Sequence, residues 1–505
     1  SSLQGLGLNL PSPLTKAPGD ELALRMDTRI LNEDTRKPLR DQIQLSLGRL
    51  LAATYVRDLS GANPVVIQGS LGMGQDKVQA PPLPDTGVVA NLALPRFSVD
   101  EWMAAWKGST DNAASTGTAN SHLSRSADDL LAATFLPTRM ALQAQELVIQ
   151  GRTLHQVVVG GSREGLLWRA NLDAQEFSGY LEYRQSSGNN LGRVYARLGR
   201  LNLPPTADTV VEQLLENGPV DIPALDIVVE DLELRGKKLG RIEIEAVNTL
   251  AGPRNAAEWR LNKLNVTVPE ASFKATGRWV TAKSTGLPRS TEMNFRLDIE
   301  DAGALLNRLG TQDAMRAGTG RLEGQVAWSG SPLAMNYPSM DGRFNVSIQR
   351  GQFLKADPGV AKLLGVLSLQ ALPRRLLLDF RDVFSEGFSY DVIRGDVSID
   401  KGIASTHNLQ MKGVNALVQM EGTSDIAKES QNLRVVILPE VDAGTASLLA
   451  GIAVNPVVGL STFLAQLFLR NPLSKATTQS FLIDGTWSNP KVTKVEAPTS
   501  PKSGP

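Results

Sequence analysis

The dominant signal along the chain is alternation of apolar and polar residues with period two, which sends successive side chains to opposite faces of a half-buried strand. From Arg241 to Ala246 it puts Ile242, Ile244 and Ala246 on one face and Arg241, Glu243 and Glu245 on the other. Between Asn294 and Glu300 it groups Phe295, Leu297 and Ile299, and the same rule groups Phe344, Val346 and Ile348, or Leu22, Leu24 and Met26 near the start. Gly, Asp and Asn punctuate the runs, as tight connections require. The pattern predicts a mainly β chain: a long, twisted antiparallel sheet curled into an elongated apolar groove, with a few short helices concentrated toward the C-terminus.

A repeat reinforces this reading. Laid over one another, the stretches from Leu142 to Val157 and from Leu225 to Ile242 align Leu147, Ile149, Gly151, Leu154 and Val157 with Leu232, Leu234, Gly236, Leu239 and Ile242. A strand, a Gly turn and a second strand thus return after about 85 residues. Gly, a spacer and Trp close strands at Gly277–Trp279 and Gly485–Trp487, and more loosely from Gly324 to Trp328. Generic antiparallel sheet with similar turn chemistry fits the same pattern.

Three interruptions divide the chain. Lys107 to Asp128 is a Ser, Thr, Ala and Asn stretch without periodicity, which reads as a flexible loop. Leu201 to Ala224 holds Pro204, Pro205 and Pro223 around a short periodic piece, Val210 to Leu215, and reads as a connector with a short helix. The third comprises helical pieces at Asp301 to Leu309, Gly359 to Leu372 and Gly444 to Arg470. The expected segments are therefore β sheet over 1–106, a loop over 107–128, β sheet over 129–200, a connector over 201–224 and β sheet over 225–350. A C-terminal region over 351–495 follows, with apolar helices at about 359–372 and 444–470, and then a disordered tail over 496–505.

A sheet face this apolar does not stand open to water, and the helices are too few to cover it. A second sheet, closure into a barrel or an apolar ligand remains. Sheets beyond about ten strands tend to curl or split. Roughly 30 strands at ~4.8 Å each would make a trough about 140 Å long, which suits acyl chains better than a small substrate. The candidate lining is Leu147, Ile149, Val157, Ile242, Ile244, Phe295, Leu297, Ile299, Phe344, Val346 and Ile348. Ordinary sandwiches with dry cores account for the same alternation.

Between Asp442 and Arg470 no charged residue occurs, a length that ordinarily marks a membrane-span candidate. The Asn455-Pro456 pair breaks it into two shorter helices. Leu448, Leu449 and Ile452 share a face of the first; Leu460, Phe463, Leu464 and Leu467 share a face of the second, with Phe468 beside them. Such a pair either lies in a bilayer surface or plugs the end of the sheet. The segment from Val360 to Leu372 invites the same two readings, and Arg374 and Arg375 at its end suit the helix dipole or lipid phosphates.

Composition narrows the function. At 505 residues the chain exceeds the usual single-domain ceiling, so several domains or one repetitive architecture is implied. Lys plus Arg and Asp plus Glu are each 52, and a net charge of zero builds no positive field for nucleic acid. The chain has no Cys, which excludes disulfides, thiol nucleophiles and Cys-ligated zinc and is compatible with an oxidising compartment. It opens at Ser1 without Met, basic n-region or apolar h-region, so it reads as a fragment whose export signal or anchor was removed or lies upstream.

Enzyme motifs are not found. His122, His155 and His407 are far apart and lack metal-ligand spacing. Gly69 to Gly74 lacks the Lys and Ser/Thr of a phosphate loop, and Ser162 in Gly160 to Gly165 lacks nucleophile-elbow spacing. No catalytic residue, metal ligand or cofactor is expected.

Four stretches carry a family resemblance: Leu3 to Ala17 (LQGLGLNLPSPLTKA), Leu363 to Tyr390 (LLGVLSLQALPRRLLLDFRDVFSEGFSY), Asn455 to Lys475 (NPVVGLSTFLAQLFLRNPLSK) and Gly485 to Val492 (GTWSNPKV). They resemble the YhdP family of AsmA-like envelope proteins, most densely from Gly351 to Val495, and the chain looks like its C-terminal part. The resemblance implies an inner-membrane anchor upstream of this chain, a long β-groove crossing the periplasm of a Gram-negative bacterium, and a C-terminal end close to the outer membrane. It implies phospholipids as partners, and phospholipid transport between the membranes that supports the outer-membrane barrier. A different class of function, a scaffold or chaperone that holds outer-membrane protein strands on its sheet edge, fits an all-β chain as well.

Overall fold

A computed structural model describes residues 1–31, 38–61, 63–74, 80–105, 134–149, 151–187, 191–203, 222–234, 236–251, 256–281, 290–332, 335–354, 388–413, 416–439, 462, 478–487 and 489–495. These residues form 23 strands and few helices, so the chain is mainly β. The low-complexity loop, the connector helix, the apolar helices over 359–372 and 444–470 and the C-terminal tail lie outside the described residues, Thr462 excepted. Two compact units result: Ser1–Val210 with Ile227–Asp231, and Val211–Asp226 with Leu232–Pro505.

In the first unit ten strands each pair with the next: β1 (Leu24–Ile30), β2 (Arg40–Leu47), β3 (Leu51–Asp58), β4 (Val65–Gly74), β5 (Gly87–Ser98), β6 (Arg139–Ile149), β7 (Arg152–Glu164), β8 (Leu167–Asp173), β9 (Phe177–Arg184) and β10 (Arg193–Leu203). The sheet is not antiparallel throughout, as the alternation alone suggests. β5 runs parallel to both β4 and β6, with Ser70 opposite Val89 and Leu92 opposite Leu142. A parallel neighbour needs a crossover of about a dozen residues or more, and the long connections before and after β5 supply it. The low-complexity stretch belongs to the second of these.

Strand β11 (Ala224–Leu234) contributes residues to both units. In the second unit twelve strands follow: β12 (Lys237–Ala251), β13 (Ala256–Val268), β14 (Ala271–Thr281), β15 (Ser290–Ile299), β16 (Met315–Ser329), β17 (Asp341–Phe353), β18 (Phe388–Asp400), β19 (Ile403–Gly413), β20 (Ala416–Asp425), β21 (Ser430–Pro439), β22 (Gln479–Thr486) and β23 (Asn489–Val495). Each strand from β12 to β22 pairs antiparallel with its successor.

The predicted helix at Asp301 to Leu309 is observed as α1 (Ala302–Arg308), between β15 and β16. Asp301 caps it, its Oδ1 accepting from the Ala304 N–H at 2.9 Å. Leu305 and Leu306 pack on a buried cluster that includes Ile299, Met315 and Tyr390. The C-terminal end is held by cations, as the helix dipole favours: Arg308 pairs with Glu270 (Nη2 to Oε2, 3.1 Å), and Lys237 Nζ donates to the Leu309 carbonyl.

The sequence repeat has a structural counterpart. Gly151, between β6 and β7, has φ +72°, and Gly236, between β11 and β12, has φ +73°. A Cβ on either would meet nothing within 4 Å, so the left-handed turn alone explains the glycine. The Trp endings align as well. Trp259 is opposite Trp279, Trp279 opposite Thr291, and Thr291 opposite Trp328, so one level of the strands carries a row of buried indoles.

One ion pair in the first unit is pH-sensitive. His155 Nδ1 lies 2.6 Å from Glu176 Oε1, and Glu176 also accepts from the His155 backbone N–H at 2.9 Å. The hydrogen bond to Glu176 raises the imidazole above its ordinary range, and the same bond holds the Glu176 carboxyl below its own, against its burial. The pair therefore stabilises between the two transitions: the His contribution is lost as pH rises through its raised value, and the Glu contribution as pH falls through its lowered one. Thermal melts of the wild type and His155→Gln are expected to differ most below the ordinary imidazole value and to draw together as pH rises through the raised His155 value. An NMR titration placing His155 at or below about 6.5 would contradict the assignment.

Candidate functional site

Register in the second unit turns the alternation of single strands into rows that cross the sheet, because residues directly opposite in antiparallel strands share a face. One row runs Ile242, Val266, Phe273, Leu297, Leu322, Val346. The next runs Ile244, Leu264, Ala275, Phe295, Gly324, Phe344, Val397. A third runs Ala271, Ile299, Gly320, Ile348, Ile393, Met411, Val418, Ile437. Eight of the predicted lining residues, Ile242, Ile244, Phe295, Leu297, Ile299, Phe344, Val346 and Ile348, therefore stand on one continuous apolar face. Phe273 and Phe295 stack across it with ring centroids 6.4 Å apart.

Burial varies along these rows: Met411, Val418 and Ile437 are shut into a packed cluster, whereas the part built by β12 to β18 is more open. Of the eight, Ile242, Ile244, Phe295, Leu297, Phe344, Val346 and Ile348 are all half-buried, and only Ile299, beside α1, is shut in at 8% exposure. Close strand approach shapes it. Gly324 sits between Phe295 and Phe344, and a Cβ there would fall 2.5 Å from the Cβ of Phe344 and 2.6 Å from its Cα.

The opposite face is charged and laced by ion pairs. Arg278 grips its cross-strand partner Glu292 with both Nε (2.8 Å) and Nη2 (2.9 Å). Asp298 receives Arg296 and Arg321, each through Nε at 2.8 Å, and the two guanidiniums hold its carboxyl below the usual carboxylate range. Glu243 is lowered likewise by Lys263 and Arg241. A recess of about 500 Å³ is lined by Glu323, Arg343, Asn345, Asp396, Ser398 and His407, among others.

The three predicted lining residues of the first unit behave differently. Leu147 and Val157 are buried, at 7% and 0% exposure, in a cluster with Leu142, Ala144 and Val159, while Ile149 at the end of β6 is 39% exposed. The alternation breaks here: Gln145 and Glu146 are both exposed, as are His155 and Gln156, and Gln156 has φ +52°. The pleat changes phase at that point, which brings Ala144 and Leu147 inward together. Arg350 in β17 (φ +51°) and Ala317 in β16 (φ +56°) make a similar break in the second unit. Beyond it Tyr390 packs on Phe353 with centroids 5.3 Å apart, and burial pushes its hydroxyl up to about 12.

Sequence reading missed Leu264, Val266, Phe273, Leu322, Ile393 and Val397 on the apolar face. The signal was present, since each follows the period of two in its own strand, but their common face emerges only from register. Leu448, Leu449, Ile452, Leu460, Phe463, Leu464, Leu467 and Phe468 lie outside the described residues. Among the described residues no helix is long and apolar enough to cross a membrane.

A family model described as YhdP protein matches residues 1–492. The intermembrane phospholipid transporter YhdP of Escherichia coli (strain K12) is 24% identical over 503 residues, covering 98% of this chain and 36% of that protein. The chain thus spans about a third of the length of the curated relative it matches. No solved structure matches it.

Proposed function

This chain belongs to the YhdP family, and from that premise we propose that it is a section of a periplasmic lipid conduit carrying phospholipid between the inner and outer membranes. The observation that supports the reading is the half-buried apolar face of β12 to β18, backed by a charged one. Acyl chains lie on the rows of Ile242, Ile244, Phe295, Leu297, Phe344 and Val346, and head groups stay in water. Ile299 and Ile348 extend the path within the second unit, and Leu147, Ile149 and Val157 are the candidate lining of the first.

The energetics suit a conduit. Burial of a methylene is worth about 0.8 kcal/mol, so an acyl chain of some ~15 carbons gains on the order of 10 kcal/mol on leaving water. A bilayer offers the same gain, so transfer between membrane and protein is close to neutral. Lipid then moves down whatever gradient the membranes impose. No bond is made or broken, so no catalytic residue is assigned, and we read the chain as a non-enzyme.

In the proposed arrangement the full-length protein is anchored in the inner membrane through a segment preceding this chain, and the C-terminal end meets the outer membrane, whose barrier the transport supports. The scaffold reading depends instead on an open strand edge. β23 carries Pro490, Lys491 and Lys494, residue types that discourage strand addition, which favours the apolar face as the binding surface.

The test is mass spectrometry of small molecules extracted from the purified chain. Phospholipid in roughly stoichiometric amount is expected; an extract free of lipid from protein made in a phospholipid-containing host would overturn the proposal.

A further inference from the structure

We propose that the face of β20 and β21 opposite the apolar rows is the docking surface of the chain's own segment 440–477. The proposal is independent of the lipid reading, since it concerns the other side of the sheet.

In these strands Val418, Met420, Val435 and Ile437 point to the apolar side, where they join the cluster on which α1 packs. The residues between them point the other way. Leu417 (1% exposed), Gln419 (0%), Val436 (0%) and Leu438 (4%) are all buried. On this same side β14 to β16 present Arg278, Arg296 and Arg321, all exposed. At the Leu417–Gln419 end of β20 and the Val436–Leu438 end of β21 the surface is buried, while Thr423, Asn432 and Arg434 farther along the same face stay exposed. Among the described residues, the most extensive contacts of β20 and β21 are with their in-plane neighbours β19 and β22, which lie beside the strands and not over the face. The Gln419 amide is buried with neither its oxygen nor its nitrogen hydrogen-bonded. A layer of apolar side chains must lie over this patch.

The chain supplies a candidate whose ends are fixed beside it. Segment 440–477 departs where β21 ends at Pro439 and returns where β22 begins at Gln479. Ile437 is opposite Gln479, and Leu438 is opposite Leu417, so departure, return and patch share one end of the strands. Within the segment no charge occurs between Asp442 and Arg470. Leu460, Phe463, Leu464 and Leu467 form a stripe at helical spacing. Thr462 is helical and exposed. A helix continued through Thr462 at 3.6 residues per turn would put Thr462 on the side away from that stripe and leave the stripe to face the sheet. The rival occupant, residues 355–387, leaves from β17 and returns into β18, two strands from β20, where Phe353 is opposite Phe388.

The chain contains no Cys, so introduced pairs report without background. Leu417→Cys is combined in turn with Leu460→Cys, Phe463→Cys, Leu464→Cys and Leu467→Cys, and Met420→Cys, on the opposite face, with the same four. Disulfides close only when the Cα atoms approach to about 6 Å, so the best Leu417 pair is expected to oxidise at least about tenfold more completely than any Met420 pair. Preference for Met420 would mean that the segment covers the apolar face, and would overturn the proposal. So would preferential joining of Leu417→Cys to Leu364→Cys, or no disulfide from any of the four Leu417 pairs in a chain with the wild-type circular dichroism spectrum.

Discussion

A chain carrying Ile244→Asp and Leu297→Asp is expected to keep its fold and to retain at most about a tenth of the wild-type phospholipid, a change equivalent to about 1.4 kcal/mol or more. Both positions are half-buried, on adjacent rows of the apolar face. With the face empty each carboxylate reaches water, so the unliganded sheet loses little beyond some strand propensity. With an acyl chain laid across them, two carboxylates must lose hydration that nothing in the rows replaces, at several kcal/mol on the order given by transfer data. Asn294→Asp, in the same strand as Leu297 but exposed on the charged face, is the matched control and is expected to bind as the wild type does. Extraction and mass spectrometry read the lipid, and thermal melts read the fold. Equal lipid in the double variant and the control would place the acyl path somewhere other than these rows.

Gly324→Val is expected to give the largest loss of stability of any single substitution on the apolar face, at least about 3 kcal/mol. A Cβ at this position would stand 2.5 Å from the Cβ of Phe344 and would overlap the Arg343 carbonyl. Those atoms belong to the adjoining strand, so no rotamer relieves the clash, and β16 must separate from β17 or Phe344 must leave its row. Valine raises local strand propensity, so a loss of stability isolates the packing effect. The comparison is Glu323→Val, one residue away and exposed on the other face, with an expected change within about 0.5 kcal/mol. Denaturant midpoints and hydrogen exchange of the β16 and β17 amides measure both. A Gly324→Val chain as stable as the wild type would show that the strands part at little cost and that the glycine is not required by their approach.

These two expectations rest on different kinds of knowledge. That Ile244 and Leu297 are apolar-face residues was legible in the sequence, because opposite orientation of neighbouring side chains is a local property of any extended strand. That Gly324 lies between two phenylalanines was not. Phe295 and Phe344 come from different strands, and only the register of β15, β16 and β17 aligns them. The same holds for the pleat reversals. Gln156, Ala317 and Arg350 adopt positive φ, a conformation that their residue types disfavour and do not advertise. Alternation and the repeat grouped Leu147, Ile149 and Val157, and only the folded chain shows that Leu147 and Val157 are buried while Ile149 is exposed.

By itself the sequence determined the mainly β class, the shared face of apolar residues within each strand of the second unit, the glycine turns at Gly151 and Gly236, and the helix that Asp301 caps. Each follows from spacing or backbone preference within a few residues. Tertiary structure decided the parallel placement of β5, the assembly of separate alternations into three rows, and the burial of Leu417, Gln419 and Val436 on a side that is charged elsewhere. The physical reason is common to all three. Strand pairing and layer contact join residues distant along the chain, and their free energy depends on which surfaces are brought together.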